Sequence, residues 1–231
     1  MTFRVRARYV AGAFAIVASL LTLAHILVQS VRFASGDDRL YGLVSFLSLG
    51  AENNPPTYYA SFAILFCALL LASIGIVAWR AGRGQSWYWY LLALVFVFLA
   101  LDESIQLHER MIEPTRDAFD ASGLFYYAWI VPYGIAFLLL GVAYLRFLLR
   151  LPRRTAKLFV VSGVLFVAGA IGFEMLGGVV FQASGSANLM YVVLQTFEEV
   201  LEMAGIVLFI YALVDYVEKI YGDIVISLGS G

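Results

Sequence analysis

Six stretches of about twenty predominantly apolar residues constrain the fold of this chain more than any other feature of its sequence. A helix rises about 1.5 Å per residue, so a stretch of that length can cross the hydrocarbon core of a bilayer, which is about 30 Å thick. A hydrophobic fraction of 62% against 13% charged residues excludes a water-soluble domain, which would have to expose much of that apolar surface. Lipid is therefore the expected solvent.

The apolar windows predict an all-α, polytopic membrane bundle that forms one transmembrane domain over residues 1–231. The predicted spans are 10–28, 58–79, 87–107, 126–147, 158–181 and 191–217. The stretch 40–49 is too short to span and predicts an interfacial or re-entrant segment. The single cysteine, Cys67, excludes an internal disulfide and a cysteine-built metal site. The lipid bilayer is the expected partner, and no nucleic-acid partner is expected.

Lysine and arginine are distributed unevenly between the two ends of these spans. Eleven of the fifteen lie at the end that carries both termini and the loops after the second and fourth spans. The positive-inside rule predicts that this end, called the basic end below, is cytoplasmic, together with both termini. Thirteen of the sixteen acids lie outside it, so we call the opposite end the acidic end.

Ionisable residues within the predicted spans lie at one height. His25, Glu174 and Glu202 are each 17 residues from a basic residue at the basic end, or roughly 25 Å of helix. Asp102 and Glu103 reach a similar height, measured from the tryptophans that begin the third span. A charged side chain costs about 2.5–3.5 kcal/mol at the bilayer centre, so we expect these groups to face one another inside the bundle.

Helical spacing puts further polar residues on the same faces. Four of them recur at i, i+3, i+4 and i+7 in the sixth span: Gln195, Glu198, Glu199 and Glu202. In the third span, Asp102, Gln106 and Glu109 follow i, i+4 and i+7, with Glu103 and His108 beside that face. The ordinary alternative for both sets is a helix end that extends into water.

Two further acids complete the predicted site. Glu174 lies in an apolar stretch just before Gly177 and Gly178, which permit close helix approach or local unwinding. Glu52 lies in a loop at the acidic end, where it can cap the site. For His25, a single histidine on an apolar span, the ordinary alternative is a hydrogen-bonded packing role.

Carboxylates packed together repel one another unless some are protonated or a cation lies among them. The sequence therefore predicts a divalent-cation site in the acidic half of the bundle. The predicted ligands are Asp102, Glu174, Glu199 and Glu202. Supporting roles are predicted for His25, Glu52, Glu103, His108, Glu109, Gln195 and Glu198. Oxygen donors favour Mg, Ca or Mn, and the histidines keep Zn and Fe open.

Three functions use such a site, and the sequence leaves open whether it is catalytic. A metal-activated water that attacks an ester would make the protein a membrane hydrolase, with a spare carboxylate as general base. The same acids could relay protons or cations, although the basic halves of the spans lack the second set that a through-path needs. The third function is an accessory subunit of a larger complex, or a homo-oligomer, in which the acids pair with basic residues of a partner. The zinc-protease pattern fails, because its second histidine position is Ile112.

The motifs themselves resemble a known group. They are Leu101-Asp102-Glu103, Leu107-His108-Glu109, Phe173-Glu174 and Glu198-Glu199-x-x-Glu202-Met203-x-Gly205. This combination resembles a group of bacterial integral membrane proteins to which no activity is assigned. The resemblance covers most of the chain and implies the same six-span type, so we expect a protein of the bacterial inner (cytoplasmic) membrane. It carries over no activity, cofactor or ligand set.

Overall fold

A computed structural model describes residues 2–82, 84–222 and 224–227. Its helices, in chain order, are α1 (Ala7–Ser35), α2 (Leu43–Leu47), α3 (Pro55–Arg80), α4 (Ser86–Ile105), α5 (Leu107–Arg110), α6 (Ile112–Phe119), α7 (Ile130–Arg150), α8 (Arg153–Val167), α9 (Glu174–Ser184) and α10 (Leu189–Tyr221). Single 3₁₀ turns occupy Leu40–Gly42 and Gly123–Phe125, and a π-helical segment, Ala168–Phe173, joins α8 to α9. Two short strands, β1 (Thr2–Val5) and β2 (Ile224–Ser227), pair antiparallel with each other.

Six helical stretches are long and apolar enough to cross a membrane: α1, α3, α4, α7, the continuous stretch from α8 to α9, and α10. They confirm the predicted all-α bundle, and the protein is a multi-pass membrane protein. The fourth span begins at Ile130, later than residue 126, because a 3₁₀ turn and a loop precede it. The segment 40–49 does not span. It forms a 3₁₀ turn and the five-residue α2, with Tyr41 and Phe46 exposed.

An apolar core lies between α3, α4, α8 and α10, in the half of the bundle nearer the basic end. Leu71 and Leu213 have no exposed surface, and Cys67 packs beside them as a buried free thiol. The ring of Phe147 meets that of Trp89 edge-on, with the ring centroids 4.9 Å apart. Packing of this density stabilises the bundle through many weak dispersion contacts, because lipid offers helices little hydrophobic driving force.

The central helix of the bundle is α10, which packs against α1, α3, α8 and α9. Its residues from Met203 to Tyr216 are largely buried. A Cβ atom on Gly205 would lie 2.8 Å from the backbone nitrogen of Phe166 and 2.8 Å from the carbonyl oxygen of Ser162. Only glycine therefore allows α8 and α10 to approach this closely. The central α10 also differs from α1, which is mostly exposed along its length.

Candidate metal centre

The chain reverses abruptly where the third span ends, and this reversal builds the site. The i, i+4, i+7 spacing predicts one helix through Glu109, but α4 ends at Ile105 and Gln106 adopts a left-handed conformation with φ 58°. A side chain at positive φ is strained by about 1 kcal/mol or more, so tertiary contacts must hold it. The prediction of one continuous helical face for Asp102, Gln106 and Glu109 is therefore wrong.

Asp102 holds the reversed segment in place. Its Oδ1 accepts a hydrogen bond from the backbone nitrogen of His108 at 2.9 Å, and its Oδ2 pairs with His108 Nδ1 at 3.0 Å. Oδ1 also accepts a bond from the hydroxyl of Tyr133 at 2.9 Å. Both oxygens of this buried carboxylate are thus engaged by protein donors. This arrangement suits Asp102 to orienting His108 rather than to ligating a metal directly.

The same pair fixes the chemistry of the imidazole. Because Nδ1 donates to the Asp102 carboxylate, Nε2 is left with its lone pair, and no protein group bonds to it in the described part of the chain. Burial disfavours the charged imidazole, but the hydrogen bond to Asp102 and the charges of Glu103 and Glu52 outweigh it and raise the pKa of His108. A carboxylate on the far nitrogen is the usual support of a metal-binding histidine.

His108 lies beside two carboxylates from different segments. Glu52, His108 and Glu109, called the trio below, each offer a ligand atom, and these atoms lie within 4.8 Å of one another. Ligands bound about 2.1 Å from one ion are separated by about 3–3.5 Å, so a cation would draw the trio inward by roughly an ångström. The Oε2 atom of Glu52 is buried, and no hydrogen-bond partner for it is found among the described residues. Burial and the charge of Glu109 raise the pKa of Glu52.

The loop that carries Glu52 is fixed by polar residues of α1 and α10. His25 Nδ1 accepts a bond from the backbone nitrogen of Leu49 at 3.0 Å, so its Nε2 carries the proton and donates to Thr196 Oγ1 at 2.9 Å. Both ring nitrogens of this buried histidine are therefore used within the protein. The structure gives His25 a positioning role in the loop.

Two amides hold the same loop. Gln195 Nε2 donates to the carbonyl of Gly50 at 3.0 Å, and Asn54 Nδ2 donates to the carbonyl of Ser48 at 2.7 Å. The Asn54 side chain also caps α3 by accepting from the backbone nitrogen of Thr57. Gln195, one of the predicted supporting residues, thus holds the backbone two residues before Glu52.

Most of the remaining predicted residues form a second group, the carboxylate cluster: Glu103, Glu174, Glu198, Glu199 and Glu202. The carboxyls of Glu174 and Glu198 are hydrogen-bonded to each other, and Trp129 Nε1 donates to Glu174 Oε1 at 3.1 Å. Glu199 and Glu202 lie within electrostatic range of Glu103 and also of Glu52 in the trio. Two touching carboxyls need a proton or a cation between them.

A π-helical turn brings α8, α9 and α10 together at this cluster. A Cβ atom on Gly169 would lie 2.6 Å from the Glu198 carbonyl oxygen and 2.9 Å from Glu202 Cγ. The local departure from an α-helix therefore lies at 168–173, before Glu174, and not at the glycine pair after it. Single π-helical turns inside α-helices are frequent at functional sites. Gly178 packs instead against Tyr126 and Tyr127.

Three of the four predicted ligands, Glu174, Glu199 and Glu202, belong to the carboxylate cluster, and Asp102 belongs to neither group. In the described residues, no three of these four bring ligand atoms within 4.8 Å of one another, whereas the trio does. A ligand role for those four stays a prediction. Across the part of the chain described here, none of the seven acids of the two groups forms an ion pair with a basic side chain, and His108 is paired with Asp102, which belongs to neither group.

Two residues of the site were not predicted from the sequence. Trp129 and Tyr133 lie at the start of α7, and they contact Glu174 and Asp102 respectively. The Trp129 ring also lies 5.0 Å from the His108 ring. Aromatic residues at this depth usually anchor a span at the membrane interface, so the sequence alone does not indicate that these two bond to acids of the site. The sequence feature that could have indicated this role is the i, i+4 spacing of Trp129 and Tyr133, whose rings carry a hydrogen-bond donor, at the height of the acids.

One comparison places the chain among known sequences. A family described as a domain of unknown function (DUF8692) matches residues 10–217. The chain belongs to this family. The match includes all residues of the trio and of the carboxylate cluster. No curated protein and no solved structure matches the chain.

Proposed function

We propose that this protein binds a divalent cation through the trio, at the acidic end of a bundle in the bacterial inner membrane. The observation that carries the proposal is the geometry at His108. Asp102 occupies Nδ1, and Nε2 is left beside two carboxylates, one of which has a buried oxygen with no partner in the part of the chain that the structure describes. The cation would supply the charge that this group of acids lacks.

The ligand chemistry narrows the choice of ion. One imidazole and two carboxylates suit Zn, Fe or Mn, while Mg and Ca prefer oxygen ligands alone. The five acids of the carboxylate cluster add negative potential next to the trio, which attracts cations. All these ions remain candidates, and the mixed ligand set favours the first three.

Three protein ligands leave coordination positions open for water, as catalytic metal sites do. We therefore propose that an ion held by the trio would make a water more acidic and that the water would add to the carbonyl of an ester presented at the acidic end. Glu103, within electrostatic range of His108 and Glu52, would accept the proton of that water as general base. The ester C–O bond would then break, Glu103 would return the proton to the departing alkoxide, and an acid and an alcohol would be released. The apolar core between the basic end and the site favours such a one-sided site over transport, and an accessory subunit remains the second alternative.

The test is the metal content of detergent-purified protein, measured by mass spectrometry. We expect about one ion per chain in the parent protein and close to none after His108→Ala or Glu52→Gln. Glu113→Gln is the matched control, because Glu113 is an exposed acid in the neighbouring α6 and should leave the content unchanged. Retention of the ion in both trio variants would overturn the proposal, and co-purification with a fixed partner and no metal would favour the accessory alternative.

Two further variants separate the trio from the originally predicted ligands. Glu174→Gln and Glu202→Gln should keep the ion if the trio binds it, and should lose it if the carboxylate cluster does. Asp102→Asn keeps the shape of the side chain but removes the charge beside Nδ1. We expect it to weaken metal affinity by about 10- to 100-fold without abolishing binding.

A further inference from the structure

A cavity lies at the acidic end, between the end of α1, the segment 38–51 and the start of α10. Its volume is about 460 Å³, within the range of pockets that hold small molecules or lipid head groups. Polar side chains line much of its wall, among them Gln29, Arg32, Arg39, Ser48, Tyr191 and Gln195. None of them belongs to the trio, so the cavity is a separate feature of the molecule.

Two arginines and one acid, Asp38, line this wall, so its formal charge is positive and opposite in sign to its surroundings. Only four of the fifteen basic residues lie at the acidic end, and Arg32 and Arg39 are two of them. Arg32 is held by Asp38, which accepts from its Nε at 2.9 Å, and by Gln29, which accepts from its Nη1 at 3.3 Å. The guanidinium of Arg39 forms no hydrogen bond or ion pair within the described residues, although acids dominate this end. Arginine binds phosphate through two parallel hydrogen bonds, so this wall suits an anion.

Neutral groups add to the same wall. Ser48 Oγ accepts from Gln29 Nε2 at 3.3 Å, so its own proton is free to donate. The hydroxyl of Tyr191 and the amide of Gln195 lie 3.4 Å apart on the opposite side of the cavity, on α10. Because Gln195 Nε2 donates to the Gly50 carbonyl and to the Tyr191 hydroxyl, this amide fixes the wall, and the hydroxyl of Ser48 is the donor that can bind a glycerol or ester oxygen of a head group.

The surroundings of the cavity indicate an amphiphilic ligand. Tyr41, Leu43 and Phe46 are exposed on the turn and short helix that also contribute Gly42, Val44 and Ser45 to the cavity wall. Exposed apolar and aromatic side chains on a short helix between spans are typical of the membrane interface. The cavity therefore opens where the head groups and the first acyl carbons of lipids lie.

We propose that this cavity binds the phosphate head group of an anionic membrane lipid, with Arg39 and Arg32 as its ligands for the phosphate. Binding does not depend on a metal at the trio. Because Glu52 directly follows Gly50 and Ala51 in the cavity wall, a head group bound here would lie next to the trio.

The experiment uses the full chain in non-ionic detergent and native mass spectrometry with added phosphatidylglycerol or phosphatidylcholine. The parent protein is expected to retain phosphatidylglycerol more tightly than the zwitterionic lipid. Arg39→Gln should weaken the binding of phosphatidylglycerol about tenfold, the usual effect of losing a charged hydrogen bond. The Arg39 side chain is exposed and forms no hydrogen bond or ion pair within the described residues, so this variant should fold.

The controls separate this proposal from the metal site and from free phosphate. Arg110→Gln removes an exposed arginine at the same end but outside the cavity and should leave lipid binding unchanged. The metal content of Arg39→Gln should equal that of the parent protein. Loss of lipid binding can therefore be distinguished from loss of metal binding at the trio. Equal lipid affinity in the parent, Arg39→Gln and Arg110→Gln proteins would overturn the proposal. Binding of inorganic phosphate without retention of phosphatidylglycerol would also overturn the assignment to a lipid.

Discussion

The two halves of α10 differ in what they contribute. From Met203 to Tyr216, toward the basic end, the helix is buried among apolar side chains of α3, α4 and α8. From Gln195 to Glu202, toward the acidic end, it carries three acids that face the charges of other helices. One continuous helix thus joins a region that stabilises the bundle to a region whose like charges oppose its closure.

This division has a physical reason. Apolar contacts gain dispersion energy without any electrostatic cost, whereas carboxylates gathered inside a bundle repel one another until a proton or a cation joins them. A chain retains such a costly group when the group performs a function, and the rest of the fold must supply the stability. Substitutions in the apolar half should therefore have large effects on the free energy of unfolding, and substitutions in the acidic half should have large effects on metal binding.

The largest expected effect on stability comes from Phe147→Ala in the apolar half. The Phe147 ring is 1% exposed and packs 4.9 Å from the ring of Tyr88, so its removal leaves a cavity. We expect a loss of about 3–5 kcal/mol, measured as the free energy of unfolding in mixed micelles. The metal content of the folded fraction should not change. A parallel loss of metal would show that the two halves cannot be separated.

Acidification should act on the acidic half alone. A metal binds neutral imidazole and ionised carboxylate, and both the pKa of His108 and the pKa of Glu52 are raised above their ordinary values. Protons therefore compete with the ion as the pH falls, beginning above the ordinary histidine pKa of about 6.5. We expect apparent affinity to fall about tenfold per pH unit for each proton displaced, measured by competition with a metal-binding dye. A constant affinity between about pH 8 and pH 6 would exclude His108 as a ligand.

A smaller effect on stability is expected at Gly169, where the π-helical segment packs against the acidic half of α10. An added methyl group would overlap the Glu198 carbonyl and the Glu202 side chain, so Gly169→Ala must push the π-helical segment away from α10. We expect a loss of about 1–3 kcal/mol in the free energy of unfolding. Gly172→Ala is the matched control within the same segment, because nothing lies within 4 Å of a Cβ atom there. Equal effects of the two substitutions would contradict the close packing at Gly169.

The smallest effect, with the opposite sign, is expected from Glu202→Gln in metal-free protein. The substitution removes one ionisable carboxyl from a crowded cluster of carboxyls while keeping the size of the side chain. We expect the free energy of unfolding to increase by about 1 kcal/mol, whereas the exposed Glu113→Gln should change it by less than about 0.5 kcal/mol. If Glu202→Gln destabilises the protein instead, an attractive interaction must hold the cluster together.

The bundle itself could be predicted from the sequence because bilayer thickness fixes the length of each apolar stretch. The six predicted spans correspond to the six long helices, although α1 and α10 extend beyond their windows at both ends. The common height of the acids also followed from counting residues along helices, since Glu103 and Glu174 both lie within electrostatic range of Glu202. These predictions depend on helix geometry alone.

The detailed site could not be predicted because it depends on departures from helix geometry. Gln106 adopts positive φ without being glycine, and this turn, invisible in the sequence, moves His108 back onto Asp102. The π-helical segment before Glu174 likewise has no sequence signature in this chain. For His25, the choice between ligand and packing residue required its partners, Leu49 and Thr196, which lie 24 and 171 positions away.

The central place of α10 has a consequence for biosynthesis. It is the sixth spanning helix in chain order, yet α1, α3, α8 and α9 all pack against it. During insertion, the earlier helices enter the bilayer before the helix that fills the space between them. Glu174 can bond to Trp129 before that point, but its carboxyl meets that of Glu198, and the carboxyl of Glu103 meets that of Glu202, only when α10 is in place. The carboxylate cluster is therefore complete only after α10 has entered the bilayer.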